Sequence, residues 1–382
     1  MDSDTLYRKL QQHLDRMPVG FPATESGVEI RILRQLFTPE EAALVLEASA
    51  IPEPAATIHR RVKPRMPLAE VTNRLNQMAD KGIILRIQAP GGPLYAKMIF
   101  AVGFFERQLK RLTPELGRDC REYLLGDFRQ AFHSKKTTQF RTVPINKTIA
   151  IERNVATYEN LRGYVESHGG PFATMTCICR HERELQGEKC KQTSLMENCL
   201  TFGMAAREMV RIGQGRSISR EEMLALLDAA DMEGLVLQPE NTKKPLFVCC
   251  CCGCCCGVLT SAKRFERPAE YFSASFQAEV DADLCEACGV CQSRCQMEAL
   301  LDGDGNAGGP GDGKTRVDQA RCIGCGLCVT TCPSGALRLV ERAQRKEPPD
   351  DTKALYMQLL QDRYGPWGMA KLAGRKLLGM KF

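Results

Sequence analysis

Cys285-Glu-Ala-Cys288-Gly-Val-Cys291-Gln-Ser-Arg-Cys295 and, further on, Cys322-Ile-Gly-Cys325-Gly-Leu-Cys328-Val-Thr-Thr-Cys332-Pro333 decide how this chain is read. Both runs have the spacing C-x2-C-x2-C-x3-C. A short loop with that spacing brings three thiolates to three irons of one cubane, while the fourth cysteine, at the start of the following helix, points away. Where two such runs occur in tandem, the fourth cysteine ligates the other cluster. The spacing therefore predicts one 4Fe–4S cluster on Cys285, Cys288, Cys291 and Cys332, and another on Cys322, Cys325, Cys328 and Cys295. Structural zinc would leave paired C-x2-C motifs without a third cysteine at the same interval. A disulfide framework needs an oxidising compartment, which nothing else in the sequence supports.

On these motifs, residues from about 276 to 341 resemble a bacterial-type ferredoxin domain with two 4Fe–4S clusters. The second run has that family's closing proline, Pro333, and the first has Gln296 in its place. Between the runs, Asp302-Gly-Asp304-Gly-Asn306 has the beginning of a calcium loop. The sixth position is Ala307 and the twelfth is Gly313, so calcium is excluded and a Gly/Asp insertion is expected at the tip of a hairpin joining 299–301 to 316–318.

Upstream, at 151–260, a second cysteine-rich region is expected to be α+β. Cys177, Cys179, Cys190 and Cys199 give C-x-C-x10-C-x8-C, which fits a further cluster, a zinc site or free buried thiols. The pattern predicts a strand over 172–179 and a helix over 196–212, with Cys199 at its start. Ser219 and Glu222 form a capping box for a helix through Ala230. Then come Cys249, Cys250, Cys251, Cys252, Cys254, Cys255 and Cys256, seven cysteines in eight residues. Packing does not require them, since other small hydrophobes would serve. Adjacent cysteines point in different directions, so one cubane cannot use all seven. Some of them are expected to complete a cluster shared with the C-x-C region, a non-cubane cluster, a thiol–disulfide centre or a soft-metal site.

Residues 1–150 carry 23 Lys and Arg against 16 Asp and Glu, whereas the rest of the chain carries 29 against 30. The basic excess therefore lies at the N-terminal end, as a solvated surface or as a face for nucleic acid or an acidic partner. Periodicity predicts helices over 29–37, 39–48 and 67–81, then a hairpin over 83–98. Thr38 caps the second with Pro39 in its first turn, and Gly82 ends the third. This order resembles a winged helix-turn-helix, which implies DNA binding or protein docking. Arg60, Arg61, Lys63 and Arg65 precede a helix face of Glu70, Thr72, Asn73, Arg74 and Gln77, and Glu70 and Asp80 oppose phosphate. Longer helical patterns follow at 104–116 and 118–127.

The C-terminal end, 351–382, reads as a basic helical tail broken at Gly365-Pro366, suited to docking or to a membrane surface. No stretch is long and apolar enough to span a bilayer, and no basic-then-apolar leader opens the chain. Thiol richness then points to a reducing cytoplasm, and cluster lability to an anaerobic cell.

The expected architecture is multidomain α+β: a winged-helix-like domain at 1–150, the cysteine-rich region at 151–260, a dicluster ferredoxin domain at 276–341 and the tail. The whole order resembles fusion proteins of anaerobic microbes. It implies single-electron transfer with partner oxidoreductases, as a component of an oxidoreductase system more than a stand-alone enzyme. The alternatives are a redox-responsive DNA-binding regulator and a reductase whose active centre is the cysteine run. There is no P-loop, dinucleotide fingerprint or nucleophile–base pair.

Overall fold

The structure, a computed structural model, describes residues 2–62, 65–134, 136–145, 159–303, 313–377 and 380–381. Lys63, Tyr158, the strand-like stretch towards Ile151, Asp304 to Ala307 of the insertion, and Phe382 lie outside the described residues, as does the side chain of Lys376. The chain forms two compact units. One comprises residues 1–132, 185–187 and 356–382, and the other 133–184 and 188–355.

In the first unit, α1 (Ser3–Leu14), α2 (Val28–Leu36) and α3 (Pro39–Val45) precede β1 (Glu53–Pro54), α4 (Ala55–Val62), α5 (Leu68–Asp80), β2 (Leu85–Ala89) and β3 (Gly92–Ala96). The full capping box at Thr38 forms: its Oγ1 accepts from the Glu41 amide at 3.3 Å, and the Glu41 carboxylate accepts from the Thr38 amide at 3.0 Å. Gly82 closes α5 with φ +74°, where its Cβ-free backbone passes Arg107. The hairpin turn is tighter than its proline- and glycine-rich sequence suggests, because Ala89 already pairs with Gly92. β3 lies between β1 and β2, antiparallel to both.

Sequence periodicity missed α1 and α4, and the helix expected over 104–116 does not form. Thr113 instead caps α6 (Pro114–Leu125), accepting from the Leu116 amide at 3.2 Å, and Pro114 takes the first helical position. Phe21, Phe100, Phe104, Tyr123 and Phe128 meet edge-on or tilted in the core. The tail helix, Thr352–Leu377, breaks at Gly365 as expected. Its Arg363 and Tyr364 donate to the carbonyls of Met17 and Arg16 at 3.0 and 2.8 Å.

The second unit is built on a five-stranded antiparallel sheet of β5 (Phe172–Thr176), β6 (Glu197–Phe202), β7 (Gly215–Ile218), β8 (Val236–Pro239) and β9 (Phe247–Cys251), in the order β7-β5-β6-β9-β8. Two expectations are corrected here. Cys179 lies on a helix, α9 (Ile178–Leu185), and Cys199 lies in a central strand, with the helix α10 (Gly203–Arg211) starting only after it. Helical periodicity over 196–212 loses to pairing with strands on both sides. α11 (Arg220–Met232) starts at Ser219, whose Oγ accepts from the Glu222 amide at 3.1 Å. Only half of the capping box forms, because the Glu222 carboxylate pairs with Arg216 at 2.6 Å. α12 (Gly257–Ala262) follows the cysteine run.

The ferredoxin-like segment is closed by β11 (Phe276–Val280) pairing antiparallel with β14 (Leu337–Glu341), and the expected hairpin forms with Leu300 opposite Val317. The segment shares its core with the sheet. Ile323 and Leu327 are buried with Cys250, Val248 and Leu237.

Candidate metal centres

Strand alternation and the turn after β9 sort the seven-cysteine run. Successive strand residues face opposite sides. By that alternation Cys250, 2% exposed, faces one side of the sheet and Cys249 and Cys251 the other. The chain then turns, and Cys252, Cys254 and Cys255 meet Cys190 from the loop after α9. All four sulfurs lie within 4.8 Å of one another. Cys190 is 3.7 Å from Cys252 and 3.6 Å from Cys254, and Cys254 is 3.7 Å from Cys255.

A tetrahedral ion with metal–sulfur bonds of about 2.3 Å sets its sulfurs roughly 3.8 Å apart. The group fits one soft divalent ion. A cubane spreads its thiolates over different irons and needs a wider set. The protons are already shared unevenly. Hydrogen bonds from Cys190 and Cys255 hold Cys252 at about 6, and those from Cys252 and Cys255 hold Cys254 at about 3. Donation to Cys252 pushes Cys190 up to about 12. Cys252 and Cys254, the two lowered thiols of the group, give up their protons most readily to a bound cation.

The C-x-C cysteines do not join this group. Cys177, Cys179 and Cys199 lie near Cys249, Cys251 and Cys256 instead. The ligand set is therefore divided differently from the sequence order, which grouped Cys190 with Cys177, Cys179 and Cys199. Between the two groups sits Arg180, 1% exposed. It donates to the carbonyls of Leu195 at 3.1 Å and Cys250 at 3.0 Å, and to Asn198 Oδ1 at 2.6 Å. Burial works against its charge, but Cys177, Cys252, Cys190 and Cys251 raise its pKa overall. His181 is half-buried, with its ring beside Glu184.

In the ferredoxin-like segment, a small cavity is lined by Cys322, Cys325, Cys328 and Cys295, together with Ile323, Leu327 and Met297. Backbone amides point at two of these sulfurs, Ala278 N to Cys322 at 3.4 Å and Ala299 N to Cys295 at 3.3 Å. Such hydrogen bonds stabilise anionic sulfur. Gly324, at φ +68°, admits no side chain, because a Cβ would lie 2.1 Å from the Phe276 carbonyl oxygen. Burial pushes the Cys325 thiol up to about 12, so a metal must displace that proton.

The other expected ligand set is more open. Cys285 and Cys291 both contact Thr315, through its amide and hydroxyl at 3.4 Å each. Cys288 is exposed and Cys332 contacts Ser334. Gln296 explains the missing proline. Its Oε1 accepts from the Gly253 amide at 2.7 Å, tying the first ferredoxin run to the cysteine run. Nothing in the spacing signalled this bond. Cys120 is buried in the first unit, and no disulfide joins any cysteine.

Residues 315–338 match the Fer4 family, a 4Fe-4S binding domain. The match contains the second run and Pro333, and the first run lies outside it. No curated protein matches the chain. The chain thus has iron–sulfur character through one ferredoxin-type segment and one four-cysteine candidate metal site. Among the described residues, no helix is long and apolar enough to cross a membrane.

Proposed function

We propose that the chain carries single electrons through two ferredoxin-type 4Fe–4S clusters, one on Cys285, Cys288, Cys291 and Cys332, the other on Cys322, Cys325, Cys328 and Cys295. A further metal centre, on Cys190, Cys252, Cys254 and Cys255, stands beside them in the same unit. The observation that carries this reading is the meeting of Cys295, from the first run, with three cysteines of the second around one cavity. Tandem runs exchange their fourth ligands in this way. The Gln296–Gly253 bond and the shared core make the cysteine-rich sheet and the ferredoxin-like segment one packed body. Exposed Cys288, with Leu284 and Val290 also exposed nearby in sequence, gives a partner oxidoreductase access to the first cluster.

The test is iron and labile sulfide content with low-temperature EPR of the reduced, anaerobically purified chain. The wild type is expected to hold about eight irons in a pair of coupled cubanes, beyond any in the middle region. Cys295→Ser is expected to remove or alter one signal of the pair. A wild-type protein without a reduced-cubane signal would end this reading.

The strand order β1-β3-β2, with α4 and α5 between β1 and β2, supports a winged-helix-like arrangement at 28–96. Its use for docking is favoured over DNA binding because two candidate phosphate contacts are engaged internally. Arg61 grips Glu53 at 2.5 and 2.8 Å, and Arg74 pairs with Glu70 at 2.8 Å. Tight binding to genomic fragments with a steep salt dependence would reverse that preference and favour the redox-responsive regulator.

A further inference from the structure

The ferredoxin runs and the Cys190 group do not account for all twenty cysteines. Apart from Cys120, in the other unit, and Cys250, which alternation turns away from Cys249 and Cys251, six remain: Cys177, Cys179, Cys199, Cys249, Cys251 and Cys256. They come from separate elements. Cys177 and Cys179 stand at the junction of β5 and α9, Cys199 in β6, Cys249 and Cys251 in β9, and Cys256 at the start of α12. The fold fixes their meeting. Cys199 lies opposite Cys249 in the antiparallel register, and alternation puts Cys249 and Cys251 on one face. The sulfur contacts run as a chain, from Cys177 to Cys179, Cys256, Cys251, Cys249 and Cys199.

We infer that these six cysteines form a second metal–thiolate centre in the middle region, separate from the Cys190 group, and that it takes a polynuclear iron–sulfur cluster. The inference goes beyond the electron-transfer reading and does not depend on it.

Ligand number argues first. One tetrahedral ion takes four sulfurs. Six sulfurs strung in a chain do not surround a single ion, whereas several irons bridged by sulfide offer ligand positions spread along such a chain. Donor chemistry argues second. An all-thiolate set selects soft metals and iron–sulfur clusters over magnesium, calcium or manganese.

Charge argues third. Arg180 is a buried guanidinium whose Nε has no hydrogen-bond partner, and no carboxylate pairs with it among the described residues. A buried cation without an anion is strongly destabilising. The anions available to it are sulfurs of both groups, Cys177 and Cys251 on one side and Cys190 and Cys252 on the other. Neutral thiols do not compensate a guanidinium, and metal-bound thiolates do. One arginine facing both groups accounts for two anionic centres.

The test uses the full chain, purified without oxygen, with iron, zinc, copper and labile sulfide measured and Mössbauer spectra recorded on iron-57-enriched protein. The double substitution Cys249→Ser with Cys256→Ser is expected to lose iron and sulfide together while keeping the Cys190-group ion and the ferredoxin EPR signals. Cys190→Ser with Cys254→Ser is expected to lose one metal ion and no sulfide. If the first double variant does not fold, Cys199→Ser, at the end of the chain of contacts, is expected to change the Mössbauer signature of the same irons. Three results would overturn the inference: unchanged iron and sulfide in the Cys249/Cys256 variant, loss of one common complement in both double variants, or zinc or copper without sulfide at the six cysteines. Failure of the ferredoxin signals in the wild type would instead count against the electron-transfer reading alone.

Discussion

Lys97 and Arg180, one in each unit, are both buried side chains with basic ends, and they meet opposite conditions. Lys97, in the N-terminal unit, is 1% exposed and donates to the His13 carbonyl at 2.7 Å. Burial comes first, with Arg16, Lys381 and Arg363 adding repulsion, and together they bring its pKa down to about 7. Arg180, in the cysteine-rich unit, is equally buried, but its neighbours are sulfurs that hold its charge. The N-terminal unit accommodates a buried base by letting it approach neutrality. The cysteine-rich unit keeps a fixed cation and needs anionic sulfur around it. On the inference drawn above, that anionic sulfur is supplied once metal has displaced the thiol protons.

Metal removal is therefore the largest way to break the comparison. Stripping the anaerobic protein with a chelator and a mild oxidant is expected to abolish hydrogen-exchange protection over 172–262, with a loss on the order of 10 kcal/mol of metal-linked stability. Peptides from α1 to β3 are expected to keep theirs. Protection that survives over 172–262 would show that Arg180 is compensated without metal.

What was legible in the sequence follows the range of the interaction. Three of the four ligands proposed for each ferredoxin cluster sit close together in one run, so spacing alone proposes them. Thr38 and Pro39 announced α3 because a cap is local. The division of the middle cysteines was hidden because Cys199 meets Cys249 through sheet register, and Cys190 meets Cys254 through a turn far along the chain. Local propensity favoured a helix through Cys199, and strand pairing overrode it. Gln296 looked like a lost proline and proved to be a side-chain anchor whose partner, Gly253, lies in another motif.

The second prediction concerns pH. Lys97 has a folded value of about 7 against an ordinary 10.5, so between those values the unfolded chain holds a proton that the fold does not. Stability of the N-terminal unit then rises as pH climbs through that window and is lost on the way down. His13, brought down from 6.5 to about 3 chiefly by burial and then by Lys97, has the same sign between those lower values. The ceiling for each group is about 5 kcal/mol, and about 2 is the working expectation. Lys97→Met is expected to flatten the upper window, measured by exchange in α1 and β3 after correction for intrinsic rates. An unchanged slope would remove Lys97 from the comparison.

A steric change sharpens the comparison within the second unit. A Cβ on Gly253 would stand 2.2 Å from the Gln296 carbonyl oxygen. Gly253→Ala is expected to cost about 2 kcal/mol by overpacking and to loosen the metal at the Cys190 group, read as faster release to a chelator. Equal release rates in the two proteins would mean that the anchor does not support that centre.

The smallest effect is the most direct. Arg180→Met keeps much of the side-chain volume and removes the charge. If metal-bound thiolates compensate Arg180, the arginine in turn stabilises added negative charge on the centres beside it. Its loss then makes them harder to reduce. Each 1.4 kcal/mol of lost stabilisation moves a one-electron couple about 60 mV more negative, and a shift of about that size is expected in an anaerobic titration followed by EPR. Arg180→Lys should recover part of it, since an ammonium restores the charge without the fork that holds Leu195, Asn198 and Cys250 together. A protein that merely needs Arg180 for packing would lose stability in both variants with no ordered shift in potential. A shift in Arg180→Met, partly reversed in Arg180→Lys, separates charge compensation from packing, and it marks the cysteine-rich core as the place where this fold keeps a cation for the sake of its metals.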